Sequence, residues 1–361
     1  TTMLDRFHVP PDIEVRVPQD DMRATVEDIF LKMGVPSEDA TQAADVLVYA
    51  DVRGIESHGV SNMLRMYVAE FGKGTINPRP NWRIERETDS AATIDCDRGH
   101  GVILGPKGME IAINKARNTG VGVVTMVNGR HFGAAAYHAA LALEHDMIGW
   151  AMTVGQVNML PTFGAVPMVG VYPLAFAAPT RDEPPFIFDA AMGSIAGNKV
   201  RLAERVGTNL LPGWIAKSDG TPIMEETEVP EQYHMLPLGS TRELGSHKGY
   251  GLAAMIDILC NVLGGSDASF LHQERYAAHH FIAYDIEAFT DREQFKDRMD
   301  AFMKGLRETP PAPGHERVYY AGLPEHEAEI DRSANGIPYH PDVIEWFRDI
   351  TSELEIPYRF G

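Results

Sequence analysis

The chain has 361 residues, 44% of them hydrophobic, which is enough for two domains with substantial cores and too apolar for a disordered protein. Its formal charge of -19 excludes the basic stripe that a nucleic-acid or anionic-membrane partner requires. Two cysteines in apolar settings, Cys96 and Cys260, exclude a disulfide framework, and no apolar run approaches the roughly 20 residues that span a bilayer. With a polar start unlike a secretory signal, a cytoplasmic location is expected.

The spacing of Val26, Ile29, Phe30 and Met33 predicts a first helix over 21–33. Ala40, Ala43, Ala44, Leu47 and Ala50 carry a second behind Ser37 as N-cap, and Leu64, Tyr67, Val68 and Phe71 carry a third. Between the last two lies a joint, residues 51–60, that contains Gly54, Ser57, His58 and Gly59. The glycines allow backbone geometries that a Cβ resists and can bring the main chain close to a ligand. His58 then projects from a fixed elbow, unless Ser57 merely caps the third helix and His58 packs on it.

Residues 72–80, rich in glycine and proline, close this helical unit. The period then changes: strands are expected over 82–87, 91–96 and 121–127, with a helix over 105–118. The turn Asn128-Gly-Arg-His-Phe-Gly133 feeds an Ala-rich helix over 134–145, and a strand follows over 147–153. Prolines and glycines over 160–185 suggest irregular chain lying over a site. A short strand over 186–189 ends in Asp189-Ala-Ala-Met-Gly-Ser-Ile-Ala-Gly-Asn-Lys199.

Further on, residues 238–251 lead into a helix with Leu252, Met255, Ile256, Leu259 and Leu263 on one face, ended by Gly264-Gly265. A strand over 277–285 precedes a capping box, Thr290 with Glu293, and a helix carrying Phe295, Met299, Phe302, Met303 and Leu306. Val343, Trp346, Phe347, Ile350 and Leu354 mark a last helix. The C-terminal helices are expected to pack back on the N-terminal ones. The alternation of strand and helix between them predicts a sheet covered by helices.

Gly99-His-Gly101-Val-Ile-Leu-Gly105 is a poor dinucleotide fingerprint, because its third glycine is one residue late and the next strand ends in Asn128 rather than an acid. It reads as a turn. His131, His138 and His145 are seven apart, about 10 Å per helical step, and cannot share an ion, so no metal is expected. No GxSxG elbow occurs. Gly245-Ser-His-Lys-Gly-Tyr-Gly251 opens a helix whose N–H groups, with Lys248, suit an anionic cofactor group; equally, the glycines fit a tight turn with His247 and Lys248 on the surface.

Taken together, Arg53-Gly-Ile-Glu-Ser-His-Gly59, Asn128 to Gly133, Pro-Leu-Ala-Phe-Ala-Ala-Pro179, Asp189-Ala-Ala and Gly-Ser-His-Lys-Gly-Tyr-Gly251 resemble the type-2 malate/L-lactate dehydrogenase family. That family also contains sulfolactate, ureidoglycolate and diketogulonate oxidoreductases and a reductase of piperideine-2-carboxylate. The resemblance implies an α+β fold: an unusual, non-Rossmann, sheet-based nicotinamide-cofactor domain, residues 76–287, and a helical domain from both chain ends, residues 1–75 and 288–361. It implies a homodimer, NAD or NADP as cofactor, and a small 2-oxo or 2-hydroxy acid as substrate. By the same resemblance His58 and His131 are catalytic and Ser57 lines the substrate pocket. Phe132, Gly133, Asp189, Ala190, Ala191, His247, Lys248 and Gly249 match cofactor-binding segments.

Some positions depart from the family's pattern. Asn62 stands where members often carry an arginine, four residues after the histidine; Arg65 matches a family arginine and is the alternative partner for a substrate carboxylate. The expected reaction is NAD(P)-dependent interconversion of a 2-oxo acid and its 2-hydroxy acid, in which a histidine cycles the proton. Cyclic-imine reduction is the alternative within the resemblance. A non-redox lyase or isomerase, or an inactive ligand-binding relative, is the alternative outside it. Of the two histidines, His58 is expected to transfer the proton near neutral pH, because His131 opens a helix whose dipole lowers its pKa.

Overall fold

The computed structural model describes residues 7–272 and 276–360; the polar chain start lies outside them. A short strand β1 (Val15–Val17) leads into three helices, α1 (Gln19–Lys32), α2 (Ser37–Val52) and α3 (Val60–Gly72). Ser37 is the first helical residue rather than the cap. Pro36 occupies the cap with its fixed φ of -59°, and no side chain caps that end.

After β2 (Arg83–Glu87) and β3 (Ala91–Asp95) comes α4 (Gly101–Thr119), followed by β4 (Val121–Gly129). The stretch read as a turn, 99–105, is therefore mostly the first turns of α4. His100 caps it by accepting the Val102 N–H on Nδ1. The glycines serve close packing: a Cβ on Gly101 would collide with Arg130 and Phe132, and one on Gly105 with the His138 ring.

The Ala-rich segment forms only a six-residue helix, α5 (Ala135–Ala140), before tightening into a 3-10 turn over Leu141–His145. β5 (Met147–Thr153), β6 (Pro173–Ala178) and β7 (Phe186–Ala191) complete one half of the sheet. β6 falls inside the stretch expected to be irregular. Its residues are buried from both sides, so the alternation that marks a half-exposed strand is missing.

α6 (Gly197–Val206), the two-residue strands β8 (Ile215–Ala216) and β9 (His234–Met235), and α7 (Ser246–Asp257) follow, the last running into a π turn over Ile258–Val262. β10 (Ala277–Asp285) precedes α8 (Arg292–Arg307), α9 (Leu323–Asn335), β11 (Ile337–Tyr339) and α10 (Pro341–Glu353). The cap of α8 is Asp291, which accepts the Gln294 N–H, not the expected Thr290.

Seven strands form one sheet in the order β2-β3-β4-β10-β5-β6-β7, and only β3 and β4 run parallel. This mixed α+β sheet is not the parallel, doubly wound sheet of a Rossmann domain. One core joins a sheet face to the N-terminal helices and α10 through Phe30, Leu47, Tyr67, Val102, Phe132, Phe281 and Phe347. A second, on the opposite side, packs Met192, Val200, Trp214, Met235, Ile256 and Cys260. The chain ends meet where β1 pairs antiparallel with β11, while α8 is tied by Arg181–Asp297 and Arg307–Glu183 to the segment after β6.

Candidate active site

The joint between α2 and α3 is built on Asp51. Its Oδ2 accepts the Val60 N–H at 3.0 Å and the Tyr339 hydroxyl at 2.6 Å, so a residue of α2 caps α3 and binds the C-terminal strand. Arg332 of α9 adds a bond to the Asp51 carbonyl and an ion pair with Glu56. Gly59 is required, since a Cβ there would overlap the Asp51 carboxylate. Ser57 does not cap the helix; its Oγ lies 2.9 Å from His58 Nδ1. Burial holds the Asp51 carboxyl up near about 7, against the pull of its hydrogen bonds and Arg332.

The second histidine sits in the loop after β4. Asn128 takes a left-handed φ of 56°, tolerable for asparagine, and its side chain donates to Asp95. The His131 carbonyl accepts the Gly101 N–H, which ties the loop to the start of α4. Gly133, at φ 78°, donates its N–H to His131 Nδ1 at 3.1 Å, and the Tyr67 hydroxyl lies 2.6 Å from the same nitrogen. A backbone N–H can only donate, so Nδ1 is an acceptor and a neutral His131 carries its proton on Nε2. His58 and His131 then stack, ring centroids 5.8 Å apart and planes within 11°.

Both rings line a cavity of about 480 Å³ whose walls come from the joint, the 130–136 loop, the ends of β5 and β7, and α6. Asp189, at the end of β7, accepts the Ala136 N–H at 2.7 Å. The side chain is wetted by the cavity yet surrounded by protein, and this raises its carboxyl to about 6. Lys199 enters from the first turn of α6, half-buried, with Nζ 5.6 Å from the centre of the Phe7 ring. Desolvation first, and then the Lys199 charge, push His58 down to about 4, so it is neutral at physiological pH. This differs from the expectation for the two histidines. His131 lies ahead of α5 rather than in it, and it is His58 that adjoins a helix N-terminus.

Of the residues picked out from sequence, Ser57, His58, His131, Gly133, Asp189, Ala190 and Ala191 line this cavity together. The others lie elsewhere. Asn62 is buried, its amide donating to the Asn198 carbonyl, and Arg65 faces solvent on the far side of α3. Phe132 is a core residue stacked between His138 and His279, at 4.4 and 4.9 Å. His247 and Lys248 are exposed at the start of α7, His247 within 3.1 Å of Arg242, and Gly249 is packed on the Leu238 backbone. Tyr67, Asn158 and Lys199 were missed. Tyr67 and Asn158 are distant in sequence from any motif, whereas Lys199 closes the Asp189 stretch and was the one within reach.

Comparison with known proteins agrees with this architecture. Residues 17–348 match the family model described as malate/L-lactate dehydrogenase. The chain is 37% identical over 348 residues to a malate dehydrogenase of Pyrococcus abyssi, covering 95% of this chain and 96% of the other. It is 34% identical over 334 residues to an L-sulfolactate dehydrogenase of Methanocaldococcus jannaschii, covering 91% and 94%. The crystal structure of malate dehydrogenase from Entamoeba histolytica superposes with a TM-score of 0.92 at 31% identity, covering 96% of this chain and 100% of that one. The chain belongs to the malate/L-lactate dehydrogenase family and is an oxidoreductase acting on the CH–OH group of 2-hydroxy acids.

Proposed function

We propose that this enzyme interconverts a small 2-oxo acid and its 2-hydroxy acid at the cavity shared by His58 and His131, with NAD as cofactor. The observation that carries this is the stacked histidine pair opposite Asp189 and Lys199 in one partly apolar cavity. The cavity fits a nicotinamide ring beside a small acid. Asn158 lines it with a buried amide oxygen that has no hydrogen-bond partner among the described residues, suited to a carboxamide N–H. Asp189, with Ala190 and Ala191, would hold the cofactor's ribose, and an acidic partner disfavours a phosphate there, which supports NAD over NADP. Lys248 and the start of α7, seated on Leu238 at the cavity wall, would meet its phosphates.

When bound, the nicotinamide supplies or accepts the hydride. His58 moves the proton. Its Nδ1 faces Ser57, while its Nε2 has no hydrogen-bond partner among the described residues. His131, by contrast, has Nδ1 committed to Gly133 and Tyr67, and it orients the substrate oxygen. In the oxidation direction neutral His58 takes the hydroxyl proton.

The buried thiols of Cys96 and Cys260 support a cytoplasmic setting, and an exposed apolar face on α7 supports a homodimer. Among the described residues no helix is long and apolar enough to cross a membrane. Oxidation of NADH and NADPH, followed by absorbance against oxaloacetate, sulfopyruvate, pyruvate and piperideine-2-carboxylate, tests the reading. Turnover of a 2-oxo acid with NADH is expected; turnover of none of them overturns it.

A further inference from the structure

A 2-oxo or 2-hydroxy acid brings a carboxylate into this cavity, and a carboxylate leaving water needs a cation or several donors. The two residues that sequence offered for this task do not line the site. Arg65 points to solvent and Asn62 lies beneath α6. The cations that do line it differ in what already engages them. Arg53 is ion-paired with Glu329 and sits over the Tyr49 ring. Arg130 is spread across the carbonyls of Thr75 and Gly129. Arg201 is exposed.

Lys199 stands apart from these. It is half-buried on the cavity wall, and among the described residues no carboxylate lies within salt-bridge distance of its ammonium. Asp189, Glu56 and Glu325 act on it only through longer-range attraction, and desolvation outweighs them in lowering its pKa. Its position relative to His58 is fixed by α3, the helix that follows the joint: Asn62 Nδ2 donates to the Asn198 carbonyl at 3.1 Å, and Asn198 Nδ2 lies 3.3 Å from Met63 Sδ. The residue in the family's arginine position thus reaches the site by holding the turn that carries a lysine.

We infer that Lys199 is the carboxylate anchor of this enzyme and so determines its preference for acids over their neutral analogues. The inference rests on the reaction proposed above. An ammonium offers a point charge rather than the planar fork of an arginine, so it sets the charge of the substrate more strictly than its geometry. The anchored carboxylate would bring the neighbouring C2 oxygen toward His58, whose field Lys199 already dominates among charged groups.

The test is binding of oxamate, an unreactive 2-oxo acid analogue, to the NADH-loaded enzyme by calorimetry. Tryptophan-to-NADH energy transfer from Trp214 in the cavity wall reads cofactor affinity separately. Lys199→Met should weaken oxamate about 10- to 100-fold, the effect of removing one charge-assisted hydrogen bond, and leave NADH affinity within about twofold. Lys199→Arg should recover most of the loss, and Lys199→Met should leave the KM for methyl pyruvate, which brings no carboxylate, within about twofold of wild type. Unchanged oxamate affinity overturns the assignment, and so does a parallel loss of NADH affinity, which would hand the ammonium to a cofactor phosphate. If Lys199→Met does not fold by circular dichroism, Lys199→Gln takes its place. A wild type that binds oxamate through Lys199 but turns over no 2-oxo acid strikes down the proposed reaction and not the anchor; one that turns over a 2-oxo acid with NADH but binds no oxamate strikes down the anchor and not the reaction.

Discussion

At His58 burial and the Lys199 ammonium act in the same direction, and the imidazole is lowered from 6.5 to about 4. The sign matters for catalysis. In the oxidation direction the base must be unprotonated, so with NAD saturating the rate should hold as pH falls through 6.5 and decline only toward about 4. Reduction needs the protonated form and should gain as pH falls. His58→Asn is expected to cost about 10²–10⁴-fold in kcat, while NADH still binds. His131→Asn should chiefly raise KM, because it removes a ring held by Tyr67 and Gly133. Single-turnover rates in both variants decide the roles: an active His58 variant with an unchanged pH profile beside a dead His131 variant would exchange them. Short motifs made both histidines and Asp189 legible in the sequence. Their electrostatics were not legible, because the start of α5 at Ala135 and the approach of Lys199 from α6 are set by tertiary packing.

At the scale of elements, β10 and the helices packed on it carry a layer of buried imidazoles. His100, His138, His279 and His280 are each 2% exposed or less, and burial lowers all four, to values between about 3 and about 4. In the folded protein they are neutral through the range where the unfolded chain binds protons. Their contribution to stability is therefore present above pH 6.5 and is lost as pH falls from there toward about 4, at up to ~1.4 kcal/mol per pH unit for each histidine. Asp51, raised to about 7, has the opposite sign and loses stability as pH rises between its ordinary range and about 7. Denaturant midpoints measured from pH 7 to 4 should fall steeply, and His279→Gln should reduce that slope by about one histidine's share; a flat acid limb would show that these rings accept protons without unfolding. The strands β4 and β10 were readable because each is a dense apolar run. The polar helix α9 and the three-residue β11 were not, since little in their composition distinguishes them from loop. Likewise the glycines of 99–105 looked like a turn, when what they provide is room for Arg130, Phe132 and His138.

For the molecule as a whole, α7 presents a surface that one copy of the chain does not cover. The sequence pattern placed Leu252, Met255, Ile256, Leu259 and Leu263 on one face of the helix. In the structure Ala253, Ile256 and Cys260 enter the core, whereas Leu252, Met255, Ile258, Val262 and Leu263 remain between 37% and 59% exposed, with Phe270 and Leu271 beside them. An apolar face this continuous is rare on a monomer, and a helix that pairs with its own copy about a twofold axis would bury it without leaving an open edge. The same helix packs Gly249 of its first turn on the Leu238 backbone, so pairing there would also brace the cavity wall. Replacing Ile258 and Val262 together by Glu should therefore weaken the proposed dimer by about 10²-fold or more, through carboxylates placed in an apolar contact. Light scattering after size exclusion should show a dimer for the wild type and a monomer for the variant at micromolar concentration. Its melting temperature should become independent of protein concentration, as mass action requires when no partner binds the folded state. A wild-type monomer, or a variant that remains dimeric, would place the contact on another face or remove it.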